Sequence, residues 1–456
     1  MLNLLESGGG RDCSGATRRD FLSVSALGLS ALLSRASATS HPVFKDKSVV
    51  LLFLCGGASH IETFDPKMTA PEGFRSVTGE IKTSIPGVTF GSTYTGLAKR
   101  AKKLAVVRSF APHQISDHAK AIRKVLTGGN SAFTSIGSRF ARFRGTADSK
   151  TGMPTYCTLI QDHEPYSQYV EYRDLIRIVS LPGELGKAFG PFDPGTRGQL
   201  NDSMKLNLSM QNLKHRQSLL RSLDSMRRNI DRSGNMEAMD KFRQQAFEVI
   251  LGGDVRKALD LSREPEKIRA AYDTGHFKVG WTKKRPSTLG GRLLMARRLC
   301  QAGCGFVTVG SAGWDNHANG KHPNVKDGMA LLGRPLDHAV SAFLDDVEQQ
   351  GLSEKILLVI LSEFGRTPRI GKNGGRDHWP GLCPLVFSGG GLKTGQVIGE
   401  STSKAEKPKS DPLRFEDLLG TLWGTLFDVG QLRLVPGLPR ELLNEVEKGR
   451  MIRQLG

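Results

Sequence analysis

Apolar residues along this chain fall into two patterns. The first is the short uninterrupted run: Ser48-Val49-Val50-Leu51-Leu52-Phe53-Leu54 ends in Cys55-Gly56-Gly57, and Phe306-Val307-Thr308-Val309-Gly310 and Ile356-Leu357-Leu358-Val359-Ile360-Leu361 repeat the form. A strand apolar at nearly every position is buried on both faces, as in a parallel sheet covered by helices. Leu104 to Val107 and Pro384 to Phe387 are shorter runs of the same kind. The second pattern has helical spacing and lies between the runs, notably over Leu289 to Ala302 and Val325 to Gln349. Strand and helix therefore alternate, and the predicted fold class is α/β, a mostly parallel central sheet with helices on both faces. From about Asn201 to Ala271 the chain turns polar and basic with Leu and Met at helical spacing, which predicts a helical insertion in the same domain. Ser401 to Pro412, rich in Lys, Ser and Pro, predicts an exposed loop before a last helix over Phe415 to Leu426.

The N-terminus follows different rules. Thr17-Arg18-Arg19-Asp20-Phe21-Leu22 leads into an apolar stretch, Val24 to Leu33, then Arg35 and the small-residue triplet Ala36-Ser37-Ala38. This order reads as a twin-arginine export signal cleaved after Ala38. The domain organisation expected is a signal peptide over 1–38 and one α/β domain over 39–456. The apolar stretch is too short for a permanent membrane span. A periplasmic or extracellular location in a bacterium follows, with the twin-arginine translocase as partner during export. Cargo of this route crosses folded, often after a metal or cofactor has been loaded.

Charge narrows the partners. Lys and Arg number 64 against 45 Asp and Glu in 456 residues, a formal net charge of +19. Such a surface attracts anions: phosphate or sulfate esters, acidic polysaccharide, nucleic acid or anionic lipid. The basic residues scatter with few interleaved aromatics, so nucleic acid is not the expected partner. Six cysteines are too few for a disulfide framework, and Cys300 and Cys304 lack a second pair to complete a tetrahedral zinc site.

In an open α/β sheet, ligands bind beyond the carboxyl ends of the strands. The first run is followed by Ser59-His60-Ile61-Glu62-Thr63-Phe64-Asp65, the second by Gly313-Trp314-Asp315-Asn316-His317, and the third by Ser362-Glu363-Phe364-Gly365-Arg366. Gly374-Gly375-Arg376-Asp377-His378-Trp379 comes soon after. Each edge delivers a carboxylate with an imidazole or a guanidinium, a set suited to a divalent ion and an anionic substrate. Each member also has a plain structural reading: Glu363 can pair with Arg366, and Arg376 with Asp377, as ion pairs. A further cluster, Ser116-Asp117-His118, opens an apparent helix reaching Thr127-Gly128, with Ser116 or Asp117 as its cap.

Taken together, the strings at 54–67, 313–317, 362–368, 374–379 and Ser388-Gly389-Gly390-Gly391 resemble the domain of unknown function 1501 family, akin to the alkaline phosphatase and sulfatase superfamily. The resemblance implies an alkaline phosphatase-like α/β fold and divalent ions (zinc, calcium or manganese) that clamp a phosphoryl or sulfuryl group. It implies metal ligands among His60, Asp65, His118, Asp315, His317, Glu363 and His378, with Asp377 orienting His378, and Arg366 and Arg376 holding the anion. His118 stands where alkaline phosphatases carry the nucleophile. The superfamily's Asp after the first strand is replaced by Gly56-Gly57, and no Cys-x-Pro-x-Arg string is present for a formylglycine. The function expected is therefore an exported metal-dependent hydrolase of phosphate or sulfate esters that uses a metal-bound hydroxide, with an anionic small molecule or polysaccharide ester as substrate. The alternative is an exported, non-catalytic binding protein for anionic ligands or acidic polysaccharide on the same fold.

Overall fold

The computed structural model describes residues 43–130, 132–148, 151–160, 168–194, 253–281, 284–432, 434–435, 438 and 440–456. The export signal over 1–38 and most of the helical insertion, 201–252, lie outside the described residues. Seven strands form one sheet, numbered here in chain order: β1 (Ser48–Cys55), β2 (Ala105–Val107), β3 (Tyr156–Leu159), β4 (Phe306–Ala312), β5 (Ile356–Ser362), β6 (Leu385–Gly389) and β7 (Gln396–Ile398). Their spatial order is β7-β2-β6-β5-β1-β4-β3, and β6 alone runs antiparallel to its neighbours. The sheet is thus mostly parallel, as the apolar runs predict.

Why β1 is apolar throughout is visible in its burial. Val50, Leu52 and Leu54 enter one core together with Leu293 and Val340, while Val49, Leu51 and Phe53 enter a second core with Ile122 and Leu422. Side chains of a strand alternate between faces, so a strand covered on both sides has no polar positions to spare. The helices that cover it are α1 (His118–Thr127) and α4 (Phe415–Leu426) on one face, and α2 (Leu289–Gln301) and α3 (Arg334–Gln349) on the other. Asp117, not Ser116, caps α1, accepting from Lys120 N at 2.9 Å, and Gly128 closes it at φ 72°.

Three details depart from the sequence reading. The helix expected over Val325 to Gln349 contains a π-helical turn, Met329–Gly333, between Val325–Gly328 and α3. β3 and β7 were not signalled, because a four-residue and a three-residue edge strand leave too little pattern. The loop expected to be exposed after Ser401 instead buries Ser401 and Ala405, which cover Asp65 and His60: Ser401 Oγ donates to Asp65 Oδ2, and Ala405 O lies 3.0 Å from His60 Nε2. The described end of the insertion, helices Gly253–Leu259 and Glu266–Ala271, is tied to α2 through Arg298, whose Nε donates to Ala258 O at 2.8 Å.

Leu52 lies at the centre of the sheet with no exposed surface. Leu52→Ala is expected to cost about 2–5 kcal/mol in urea unfolding, from lost transfer free energy and the cavity left in the core under α2 and α3.

Candidate metal centre

The carboxyl ends of β1, β4 and β5 meet at one rim, since Cys55 pairs with Ala312 and Leu54 with Ser362. The turn after β1 is made by two glycines at φ +113° and +76°. A Cβ on Gly56 would lie 2.7 Å from Trp314 N and 2.9 Å from Asp315 N, and one on Gly57 would meet the Phe364 ring at 2.6 Å. An aspartate has no room after this first strand, because the loop carrying Asp315 fills the space.

Asp315 itself is 2% exposed. Its Oδ1 is approached by His317 Nε2 at 2.9 Å, His118 Nε2 at 3.4 Å and His378 Nε2 at 3.5 Å, and accepts from Arg366 Nη2. Its Oδ2 accepts from Tyr172 OH at 2.9 Å and lies 3.2 Å from His322 Nδ1. Burial opposes ionisation here, yet contacts with His118, His317 and His378 and the Arg366 charge hold the Asp315 pKa far below the usual carboxylate range.

An acceptor stands behind each of three imidazoles. His118 Nδ1 lies 2.7 Å from Glu363 Oε1, His317 Nδ1 2.9 Å from Asp377 Oδ1, and His378 Nδ1 2.6 Å from Ser116 O. Carboxylates and carbonyls only accept, so neutral His118 and His378 carry the proton on Nδ1 and present a lone pair at Nε2, whereas His317 has a carboxylate 2.9 Å from each nitrogen and can carry it on either. The Nε2 atoms gather beside Asp315: His317 Nε2 and His378 Nε2 are 2.8 Å apart, and the buried His118 Nε2 has no hydrogen-bond partner. A cation or an extra proton there would satisfy His118 and Asp315 together. Donors about 2.0–2.2 Å from a tetrahedral ion stand about 3.3–3.6 Å apart, which is the spacing of His118 and His378 from Asp315. The ligand atoms of these three residues all lie within 4.8 Å of one another.

Charge gives the same answer. The buried carboxylates of Asp315 and Glu363 are set against the single guanidinium of Arg366, a deficit of one positive charge when the rings are neutral, while exposed Asp377 is served by water. A bound cation or a ring proton would remove it. Two imidazoles and a carboxylate with outer acceptors behind the rings are a donor set suited to zinc, manganese or iron.

The remaining sequence-singled residues stand around this cluster or apart from it. Glu363 is fully buried and accepts from Gly56 N at 2.8 Å as well as from His118, so it stands behind His118. Asp377, 84% exposed, orients His317, whereas the sequence reading set it behind His378. Arg366 and Arg376 were expected to hold an anion, but both are buried and their donors are taken. Arg366 donates to Gly56 O, Gly57 O, Arg376 O and Asp315, with His317 Nε2 at 3.2 Å from its Nη1. Arg376 donates to Glu62 Oε1 and to the carbonyls of Arg75, Thr367 and Pro368. Its ion-pair partner is thus Glu62, which also accepts from Ser76 Oγ at 2.6 Å. His60 and Asp65 face Ala405 and Ser401, away from Asp315, and burial lowers the His60 pKa to about 4.

A family model described as "Protein of unknown function (DUF1501)" matches residues 46–434. The chain belongs to this family. No curated protein matches it significantly. Solved structures similar to this DUF1501 protein include a sulfatase from Pseudoalteromonas sp. (12% identity, 85% of this chain and 70% of that one, TM-score 0.30). A lipoteichoic acid synthase from Listeria monocytogenes (10%, 83% and 77%, TM-score 0.35) and an alkaline phosphatase from the Antarctic bacterium TAB5 (11%, 78% and 95%, TM-score 0.32) are others.

Two residues of the DUF1501 centre had no place in the sequence reading. His322 lies in the same loop as His317 and was legible as a further imidazole past Asp315. Tyr172 comes from the helix Gln168–Val179, where no local motif marks it.

Without a metal, His118 takes a second proton. Burial alone lowers its pKa, but Asp315 and Glu363 outweigh burial and raise it from 6.5 to about 9. The unfolded ring titrates near 6.5, so the stabilisation is complete below pH 6.5 and is lost as pH rises through about 9. Urea unfolding of the metal-free protein is expected to show a stability gap between wild type and His118→Gln that closes across this window.

Proposed function

We propose that this DUF1501 protein is an exported metal-dependent hydrolase of phosphate or sulfate esters, with an anionic small molecule or polysaccharide ester as substrate. The observation that carries the reading is the convergence of three imidazole Nε2 atoms on Asp315 Oδ1, each ring with an acceptor beside its Nδ1. His118, His378 and Asp315 would hold the ion, with His317 beside them. A divalent ion there supplies Lewis acidity toward an ester oxygen and lowers the pKa of water.

The chain's own groups supply the rest. Glu363 holds the His118 Nδ1 proton and keeps the ring aimed, and Ser116 O does the same for His378. Arg366 and Tyr172 hold Asp315 ionised and fixed. Among the described residues, no serine or threonine hydroxyl hydrogen-bonds to Asp315, His118, His317 or His378, which favours water over a covalent nucleophile. His118 begins α1, whose N-terminus favours negative charge beside it. Among the described residues no helix is long and apolar enough to cross a membrane. Export through the twin-arginine translocase to the periplasm or beyond rests on the sequence of residues 17–38.

A second reading has one observation behind it. Arg366 pairs with Asp315, and a protonated His118 answers Asp315 and Glu363, so a binding protein without metal or turnover would retain a stable site. Metal analysis of the mature protein with a panel of phosphate and sulfate esters separates the two. The hydrolase reading expects a divalent ion near stoichiometry, ester turnover, and a loss of about 10–100-fold in metal affinity or rate for Glu363→Gln. A folded protein that binds no divalent ion, or binds one and turns over no ester in the panel, overturns it.

A further inference from the structure

The loop that carries Asp315, His317 and His322 also holds an asparagine followed by glycine, Asn319-Gly320. The chain has one other such pair, Asn373-Gly374, in the loop that leads to Asp377 and His378. An asparagine before glycine can modify itself, because the next backbone nitrogen reaches the side-chain amide carbon with no Cβ in the way. The two pairs differ in what holds them.

Asn319 and Gly320 are both exposed, and nothing lies within 4 Å of the place where a Cβ of Gly320 would stand, so the turn is open on that side. Among the described residues Gly320 N donates to no acceptor and Asn319 Nδ2 has no partner. The side-chain oxygen is held instead: Asn319 Oδ1 accepts from Lys321 N at 3.2 Å and from His322 N at 3.0 Å. Attack at Cγ puts negative charge on this oxygen, and two fixed N–H donors stabilise it. Nucleophile and leaving group are free, while the oxygen that becomes an anion is cradled.

Asn373 is exposed too, but its amide is in use. Its Nδ2 donates to His317 O at 3.0 Å and Ala318 O at 3.2 Å, and its Oδ1 accepts from Gly375 N at 3.1 Å. Gly374 N, the nitrogen that would attack, donates to Gly371 O at 2.9 Å. Asn373 is thus a strut for the loop in which Asn319 stands free.

We propose that Asn319 is a site of self-modification, where the fold directs the loss of a side-chain amide to water while it protects Asn373. Gly320 N gives its proton to hydroxide and bonds to Asn319 Cγ; the Cγ–Nδ2 bond breaks, and Nδ2 leaves as ammonia with a proton from water. Water then opens the five-membered imide at one of its two carbonyls and leaves aspartate or isoaspartate. Amide and water become acid and ammonia, and nothing is oxidised or reduced. Aspartate adds a negative charge to the loop, and isoaspartate lengthens the backbone by one atom between His317 and His322. The modification needs neither a bound metal nor turnover at the Asp315 cluster.

Peptide mapping by mass spectrometry of the folded protein, held at mildly alkaline pH and sampled over days, measures conversion at each asparagine, and an isoaspartyl methyltransferase labels the rearranged product. Asn319 is expected to convert about tenfold or more faster than Asn373, where both Nδ2 hydrogen bonds and that of Gly374 N must open first. In the chain unfolded by guanidinium the two rates should converge. Gly320→Ala should slow conversion of Asn319 about tenfold or more, since a Cβ then stands beside the attacking nitrogen, and should leave Asn373 unchanged. Equal rates in the folded protein, no conversion at Asn319, a preference that persists on unfolding, or an unchanged Asn319 rate in Gly320→Ala overturns the proposal.

Discussion

A buried carboxylate must be answered by positive charge or by hydrogen-bond donors, and in this protein that carboxylate is Asp315. Taking an ion of this size out of water costs several kcal/mol even after the protein relaxes. The surroundings answer with one guanidinium, one phenol and four imidazoles from distant parts of the chain. Three of the rings turn Nδ1 to an acceptor and Nε2 toward this carboxylate, where a cation or an added proton would complete the balance.

The fold makes this meeting possible by simple means. β1 is apolar on both sides because helices cover both faces, and its register with β4 and β5 brings the carboxyl ends of the three strands to one rim. The two glycines after β1 let the Asp315 loop approach to backbone distance, and Gly56 N donates to Glu363. Arg366 then ties the loops together, donating to both glycine carbonyls and to Asp315. Arg376 does the same one layer back, with fully buried Glu62 as its counter-charge. Both arginines are cross-links of the loops that build the centre, and losing either would leave a buried acid uncompensated.

Much of this was legible before any coordinates. The long apolar runs mark β1, β4 and β5 because burial on both faces leaves an unmistakable pattern, and the rule of strand ends then selects Asp315, His317, Glu363 and His378. His118 was legible from its place at a helix start. What the sequence does not carry is direction. His60 and Asp65 also follow β1, but the short helix His60–Thr63 and the turn after it direct them toward Ala405 and Ser401. Arg376 and Asp377 are neighbours in the loop just before the short strand His378–Trp379, yet one is buried against Glu62 and the other exposed against His317. Tyr172 had no signal because a phenol reaching across from a helix leaves no spacing to read.

The most direct test is an anomalous-scattering map at a metal absorption edge from crystals of the metal-loaded protein. The account predicts one strong peak within about 2.0–2.2 Å of His118 Nε2, His378 Nε2 and an Asp315 oxygen. A map with no peak there, or with its peak beside His60 and Asp65, would contradict it.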